Sequence, residues 1–508
     1  MQQLTGQDDL FLRMETDSSF GHVSSVSILD PSSAPEPITL ELVKREFGRR
    51  LHLLPMCRRR VVEVPFELDH PYWIDDPDFD IDNHITAVRL PKPGSRRQLQ
   101  RVAAKIVSKP LDRSRPLWHT TLVTGIEGGR FGLLTRIHHA AIDGLAGNDV
   151  LTTLMDEDPR GREIPPAPPW CPEPIPDSLD LLGLASVSLA VRPLRYAEFQ
   201  FELADAFLGA LTQLRERGSA LRRSLTVPPA PFNHTITSGR VWEFRRLPLE
   251  SFRRVKNAFG YTVNDVVVAI CAGALRRWLI DHDVLPALPL VAGVPVSIRT
   301  ADDHAFGNRV SMLTTELATH VPDPLDRLHA AHDAMAAGKD VHRAIPATLL
   351  QDWAEFATPA VAEIAIREAH ALHVADWAAQ PYNLIVSNVP GPAHPLYFAG
   401  ARLEGIYPLS ALADGQGLNI SLLGYRDALH FGLLACPEVM PDLDDLADYL
   451  AAELRLLDAA AAQAEAQREA KPNGNGRATA LAAMTLRKAA ANGAGGANGL
   501  PKELASTR

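Results

Sequence analysis

The residues most able to do chemistry in this chain lie within one heptapeptide, His138-His139-Ala140-Ala141-Ile142-Asp143-Gly144. Histidine carries protons near neutral pH more readily than any other side chain. An aspartate four residues further on can cap backbone N–H groups or pair with an arginine. Gly144 allows a tight turn or a close backbone approach. The pattern points to proton transfer on a hydroxyl or thiol. Along the preceding run, Phe131, Leu133, Thr135 and Ile137 share one strand face, and Gly132, Leu134, Arg136 and His138 the other. Continued for one more residue, the alternation puts His139 on the apolar face, pointing inward, and makes it the better general base of the pair. The rival readings are a metal site and two packed core histidines. Adjacent histidines on a strand diverge, and no His-Glu-x-x-His cluster accompanies them, so no metal is expected. There is no GxSxG elbow and no GxxxxGK[ST] loop. His329/His332 and His370/His373 have helical spacing but no companions, and read as surface or packing residues.

The elements around the heptapeptide follow from hydrophobic periodicity. Helices are predicted at Leu40 to Leu51, Arg97 to Ser108 and Gly144 to Met155. Strands are predicted at Leu117 to Thr124 and Phe131 to Ile137, joined by the Glu127-Gly128-Gly129 turn. Residues 159–235 hold two proline-rich stretches, around Pro165 to Pro169 and Pro228 to Pro231, flanking a helical segment broken at Pro193. Beyond them come strands at Val241 to Leu247, Leu288 to Ile298, Val310 to Leu317 and Asn383 to Ser387. An apolar helix is read from Val263 to Ile280, a hairpin around Arg426-Asp427, and a closing helix from Leu443 to Ala459. The expected organisation is an N-terminal half 1–158, a linker and crossover 159–235, a C-terminal half 236–460, and a disordered Ala/Gly/Asn-rich tail 461–508.

Composition narrows the function classes. The 508 residues, 46% hydrophobic and 22% charged, suit a globular protein of two or three domains. The formal charge is −10, while the tail from Lys471 carries six basic residues against Glu503 alone, so the body is acidic. That argues against nucleic acid as a partner. The four cysteines are widely spaced, as in a reducing compartment. The start has no signal-peptide pattern, and the longest apolar stretch, Leu181 to Val191, is too short to span a bilayer. A cytoplasmic location is expected.

With these residues in view, the chain resembles the coenzyme A-dependent acyltransferases that carry HHxxxDG, and more narrowly the bacterial wax ester synthase/diacylglycerol acyltransferases. The resemblance rests on ordered companions spread over most of the chain: Asp8-Asp9-Leu10-Phe11-Leu12 followed by His22; Pro116-Leu117-Trp118; Asn264-Asp265; Pro295-Val296-Ser297-Ile298-Arg299; Gly307-Asn308-Arg309; and Asn388-Val389-Pro390-Gly391-Pro392. The tail has no place in the shared core.

The resemblance implies an α/β (α+β) fold of two chloramphenicol-acetyltransferase-like mixed-sheet halves, joined by the proline-rich crossover, with a tunnel between them. It implies direct transfer of a long-chain acyl group from acyl-CoA to a hydroxyl, of diacylglycerol to give triacylglycerol or of a fatty alcohol to give a wax ester. His139 is then the general base and His138 a supporting residue, and the oxyanion donors could be backbone N–H groups or His138. Asp143 is structural or orienting, with Arg299 its candidate partner, and Gly144 completes the motif. Asn264, Asp265, Pro116, Leu117, Trp118, Asn388, Pro390 and Gly391 line the channel or shape the fold. No cofactor is required beyond acyl-CoA as substrate. The lipid acceptor implies contact with a membrane face or lipid droplet, through apolar residues such as those of Leu179 to Val191 or through the basic tail, since an acidic body gains nothing broad from anionic lipid. Two alternatives are a condensation-type acyltransferase acting on carrier-bound substrates and a non-catalytic lipid-binding protein of the same fold.

Overall fold

The computed structural model describes residues 1–142, 144–190, 227–297, 310–344 and 359–469. Two six-stranded mixed sheets dominate it. Its strands are β1 (Gln2–Gln3), β2 (His22–Asp30), β3 (Arg59–Val62), β4 (Tyr72–Asp75), β5 (Ile85–Arg89), β6 (Trp118–Ile126), β7 (Arg130–His138), β8 (Val241–Pro248), β9 (Leu290–Ser297), β10 (Val310–Leu317), β11 (Leu384–Val389), β12 (Tyr397–Phe398), β13 (Ala401–Leu409), β14 (Leu418–Tyr425) and β15 (Ala428–Ala435). The described helices are α1 (Gly6–Arg13), α2 (Leu40–Arg50), α3 (Arg96–Val107), α4 (Gly144–Leu154), α5 (Ser178–Ala190), α6 (Leu249–Phe259), α7 (Val263–Asp281), α8 (Pro324–Ala344), α9 (Pro359–Ala371) and α10 (Leu443–Glu469).

The first sheet runs β12-β13-β2-β7-β6-β5, antiparallel except for β5 beside β6. Alternation along β7 sorts its two faces. Phe131, Leu133 and Ile137 pack with α2 and α4, while Leu134 faces α3 through Leu99, Ala103 and Val107. The second sheet runs β10-β9-β11-β14-β15-β8, with β11 parallel to both neighbours. α7 is apolar on every side, with Val266 to Leu275 buried, as a core helix must be. Together with α6 it has the composition of a bent membrane span, but the pair turns by 104° and α7 lies inside the core.

Sequence order and sheet membership part company at one place. β12 and β13, from the segment read as the C-terminal half, complete the first sheet, β13 by pairing with β2 and β12 by pairing with β13. The crossing chain is tied down on the way. Asp156 and Tyr397 exchange backbone hydrogen bonds of 2.8 and 2.7 Å, and the buried Tyr425 hydroxyl accepts from Leu396 N–H and donates to the Leu403 carbonyl. The two sheets meet where β13 lies on β15. A Cβ on Gly432 would stand 1.7 Å from the Pro408 carbonyl oxygen, so only glycine permits this approach. One further difference concerns an end. The closing helix continues to Glu469 rather than Ala459, on uninterrupted good helix formers. Residues 470–508, the predicted helical segment from Val191 onward, and Ile298, the predicted end of a strand, fall outside the described residues.

Candidate active site

β7 ends at His138, and the chain turns there, so His139 is reached through a turn and not by the next pleat. Its position is set by what surrounds the turn. The His139 N–H donates to the Gly21 carbonyl at 2.7 Å, and its half-buried ring stacks on Phe11 of α1, with centroids 4.1 Å apart and planes 13° from parallel. α1 forms because Thr5 caps it, accepting the Asp8 N–H, with Asp8 and Asp9 in its first turn and Arg13 in its last. It is then anchored through the buried Arg13, which pairs with Asp9, Glu63 and Glu363.

His138 points the other way and is 1% exposed. Its Nδ1 accepts the Ala140 N–H at 3.1 Å, so a neutral ring carries its proton on Nε2, which faces Glu15 Oε1 at 3.3 Å. Glu15 also accepts the Gly21 N–H at 2.8 Å and is paired with Arg113. Burial by itself would raise the Glu15 carboxyl, but His138, Arg113 and the Gly21 amide outweigh it and hold it down at about 2. Gly21 leaves room for the His138 ring, since a Cβ there would lie 2.4 Å from Nε2. Across the sheet His138 is opposite His22, whose Nε2 meets the Val107 carbonyl at 3.1 Å. Burial, and then the charge of Arg136, push His22 down to about 3.

The Pro-Leu-Trp element supports this turn from beneath. The Leu117 carbonyl accepts the His138 N–H at 2.9 Å, and its side chain packs with Leu4, Leu12 and Ala140. Trp118 is buried between Phe47 and His84 and donates from Nε1 to the Cys57 carbonyl. Pro116 is also buried.

A second group lies on the C-terminal sheet and its helix. Asn388 Nδ2 donates to Asn264 Oδ1 at 3.3 Å, joining the end of β11 to the start of α7. Asp265 closes a reciprocal capping box with Thr262 and accepts from His332 at 3.0 Å. Burial opposes its ionisation, but the Thr262 and His332 hydrogen bonds prevail and lower it. Gly391 presses on β14, where a Cβ would be 2.1 Å from the Gly424 carbonyl oxygen, and Pro390 is exposed. Asp143, Arg299 and Gly307 to Arg309 lie outside the described residues, and of Gly144 only its place at the start of α4 is described. The site readings did not assign Phe11, Glu15 or Gly21 a place beside the histidines. The sequence signal was the short Glu15-to-His22 segment next to a helix, which matters only once β2 pairs with β7.

Among the described residues no group of three or more metal-capable side chains comes together. The catalytic-domain model of wax ester synthase/diacylglycerol acyltransferases matches residues 4–267, and the C-terminal-domain model of the same family matches 306–458. The chain belongs to this family. It is 35% identical over 88% of both chains to a Mycobacterium tuberculosis relative that carries a diacylglycerol O-acyltransferase name. It is 31% identical to the O-acyltransferase WSD of Acinetobacter baylyi, over 92% of this chain and 99% of that one. The wax ester synthase/diacylglycerol acyltransferase from Marinobacter aquaeolei shares the structure with a TM-score of 0.64 at 28% identity, covering 91% of this chain and all of that one. The starter condensation domain of rhizomide synthetase, solved with C8-CoA, shares the fold alone, at 14% identity and a TM-score of 0.54. The protein is thus an acyltransferase of the wax ester synthase/diacylglycerol acyltransferase family, with the two-lobed mixed-sheet fold that its motifs implied.

Proposed function

We propose that the protein transfers a long-chain acyl group from acyl-CoA to a lipid hydroxyl, of diacylglycerol or of a fatty alcohol, with His139 as general base. The observation that carries this reading is the contrast between two adjacent imidazoles. That of His138 is buried, with both nitrogens turned to protein groups, while that of His139 is half-buried and held flat on Phe11. His139 takes the acceptor proton as the hydroxyl oxygen attacks the thioester carbonyl. The C–O bond forms, the C–S bond breaks, and the proton passes to the departing CoA sulfur. The thioester is already activated, so alignment and one base suffice and no acyl-enzyme is needed. His138 supports the turn and does not serve as an oxyanion donor. The amides of His139, Ala140 and Ala141 are also spent on Gly21, His138 Nδ1 and the His138 carbonyl, so donors for the oxyanion come from elsewhere.

In the same proposal Asp143 is an orienting carboxylate with Arg299 its partner, and Asn264 and Asn388 line the channel between the halves 1–158 and 236–460. Acyl-CoA is the donor and no further cofactor takes part. The protein works in the cytoplasm at the face of a membrane or lipid inclusion. One observation supports contact with lipid: α5 buries Leu181 and Ala185 while exposing Leu179 and Val187. The test is release of CoA from labelled acyl-CoA with a panel of diacylglycerols, alcohols and amines. His139→Ala is expected to lower turnover by roughly 10²–10⁴-fold with an unchanged melting temperature. Near-wild-type turnover by the folded variant refutes the assignment. Transfer only from a carrier-bound thioester, or only to an amine, would favour the condensation-type reading.

A further inference from the structure

The acidic net charge conceals a strongly basic segment inside the body. Between Arg89 and Arg115 stand nine arginines and lysines against Asp112 alone, so this stretch carries +8 in a chain of −10. The fold gathers much of that charge on one helix. α3 buries Leu99, Ala103 and Val107 against the first sheet, and its other side presents Arg97, Arg101 and Lys105, with Lys109 one turn further on. Residues four apart stack along a helix face, so the row from Arg97 to Lys105 is about 12 Å long. All four side chains are exposed, and none makes an ion pair among the described residues, although the charge of Arg97 reaches Glu243. Their neighbours behave differently. Arg96 is bound to Glu243, Arg113 to Glu15, and Arg115 to Asp112.

We propose that this face of α3 docks on an anionic lipid surface. A flat row of unpaired cations is complementary to a charged bilayer, and clusters of this size on an amphipathic helix gain appreciable affinity there. The end of α3 also leads straight to the site: the Val107 carbonyl meets His22, opposite His138, and Arg136 of β7 donates to the carbonyls of Ile106 and Lys109. Docking would hold the histidine turn against the layer that contains the acceptor. The inference rests on the acceptor being a lipid, as proposed above. It adds a route to the tail and the apolar residues expected from the sequence, because charge segregation lets an acidic protein present one basic face.

The test is co-sedimentation of the full chain with phosphatidylcholine vesicles, with and without phosphatidylglycerol. Three forms are compared: wild type, the exposed charge reversal R97E/R101E/K105E, and a full-length form with the six basic tail residues changed to Gln. Wild type and the tail form should bind only the anionic vesicles and release in 0.5 M salt, where the Debye length is roughly 4 Å against about 30 Å in dilute buffer. The α3 variant should lose at least about 100-fold in partitioning. It should keep its melting temperature and its KM for acyl-CoA in detergent. Retained binding by the α3 variant overturns the proposal. So does binding to neutral vesicles in high salt, which would assign contact to the apolar residues of α5, or loss of binding by the tail form alone. A raised KM for acyl-CoA in detergent would reassign the row to the phosphates of CoA. Absence of any acyl transfer in detergent counts against the proposed reaction and leaves the sedimentation result standing by itself.

Discussion

At the residue scale, two neighbouring histidines of one type acquire opposite environments from their partners. His138 is fixed by an acceptor site on one nitrogen and a carboxylate beside the other, while the His139 ring stacks on Phe11 and its N–H is held by the Gly21 carbonyl. Glu15 joins these constraints, since it holds Gly21, whose carbonyl in turn holds His139. Glu15→Gln keeps an acceptor for the Gly21 amide but removes the charge opposite His138 and Arg113. It is expected to cost about 1.5–3 kcal/mol in urea denaturation and to lower kcat more than it changes KM for acyl-CoA. Equal activity and stability in the variant would show that the carboxylate is dispensable. This residue was hard to find in advance because a glutamate on a short loop has no periodic signature.

At the element scale, the secondary structure nearest the motif was legible. The turn at Glu127 to Gly129, the strands on either side, the helices at 40–50 and 96–107 and the hairpin around Arg426-Asp427 follow the reading within a residue or three. These segments have strong local periodicity and explicit turn residues. Sequence patterning assigns no strand to β2 or β13, which pair antiparallel with each other in the first sheet. Turn chemistry alone also did not show how tightly Asn388 to Pro392 is pressed on β14. Gly391→Ala would force a Cβ against the Gly424 carbonyl. A loss of about 1–3 kcal/mol is expected from such overpacking, read as a lower melting temperature. An unchanged melting temperature would mean that the turn yields at no cost.

At the scale of the whole molecule, two sheets are locked together by a strand exchange and by a close contact between β13 and β15. His430 is buried in that contact beside Tyr407 and Tyr425. Burial, and then the charge of Arg246, push it down to about 4 from an ordinary 6.5. A lowered histidine pKa means that the unfolded chain binds the proton more readily. The contribution is full above about pH 6.5 and is lost as pH falls towards 4, about 3 kcal/mol in all. His22 acts in the same direction. Denaturation midpoints should therefore fall between pH 7 and 5, and His430→Leu should flatten that slope. A slope that the substitution leaves unchanged would place the sensitivity elsewhere.

Taken by itself, the sequence determined the family and the reaction class, because those depend on residue types at short, ordered spacings. It also determined most local elements, because a hydrophobic period is a local property. Which histidine is turned inward, which glutamate and glycine hold the turn, and which strands cross between the sheets were decided by tertiary structure alone. The physical reason is that each depends on contacts between segments far apart in the chain, such as β2 with β7, α1 with the His139 turn, and β13 with β2. No local pattern encodes the partner in such a contact; burial and hydrogen-bond satisfaction over the whole fold select it.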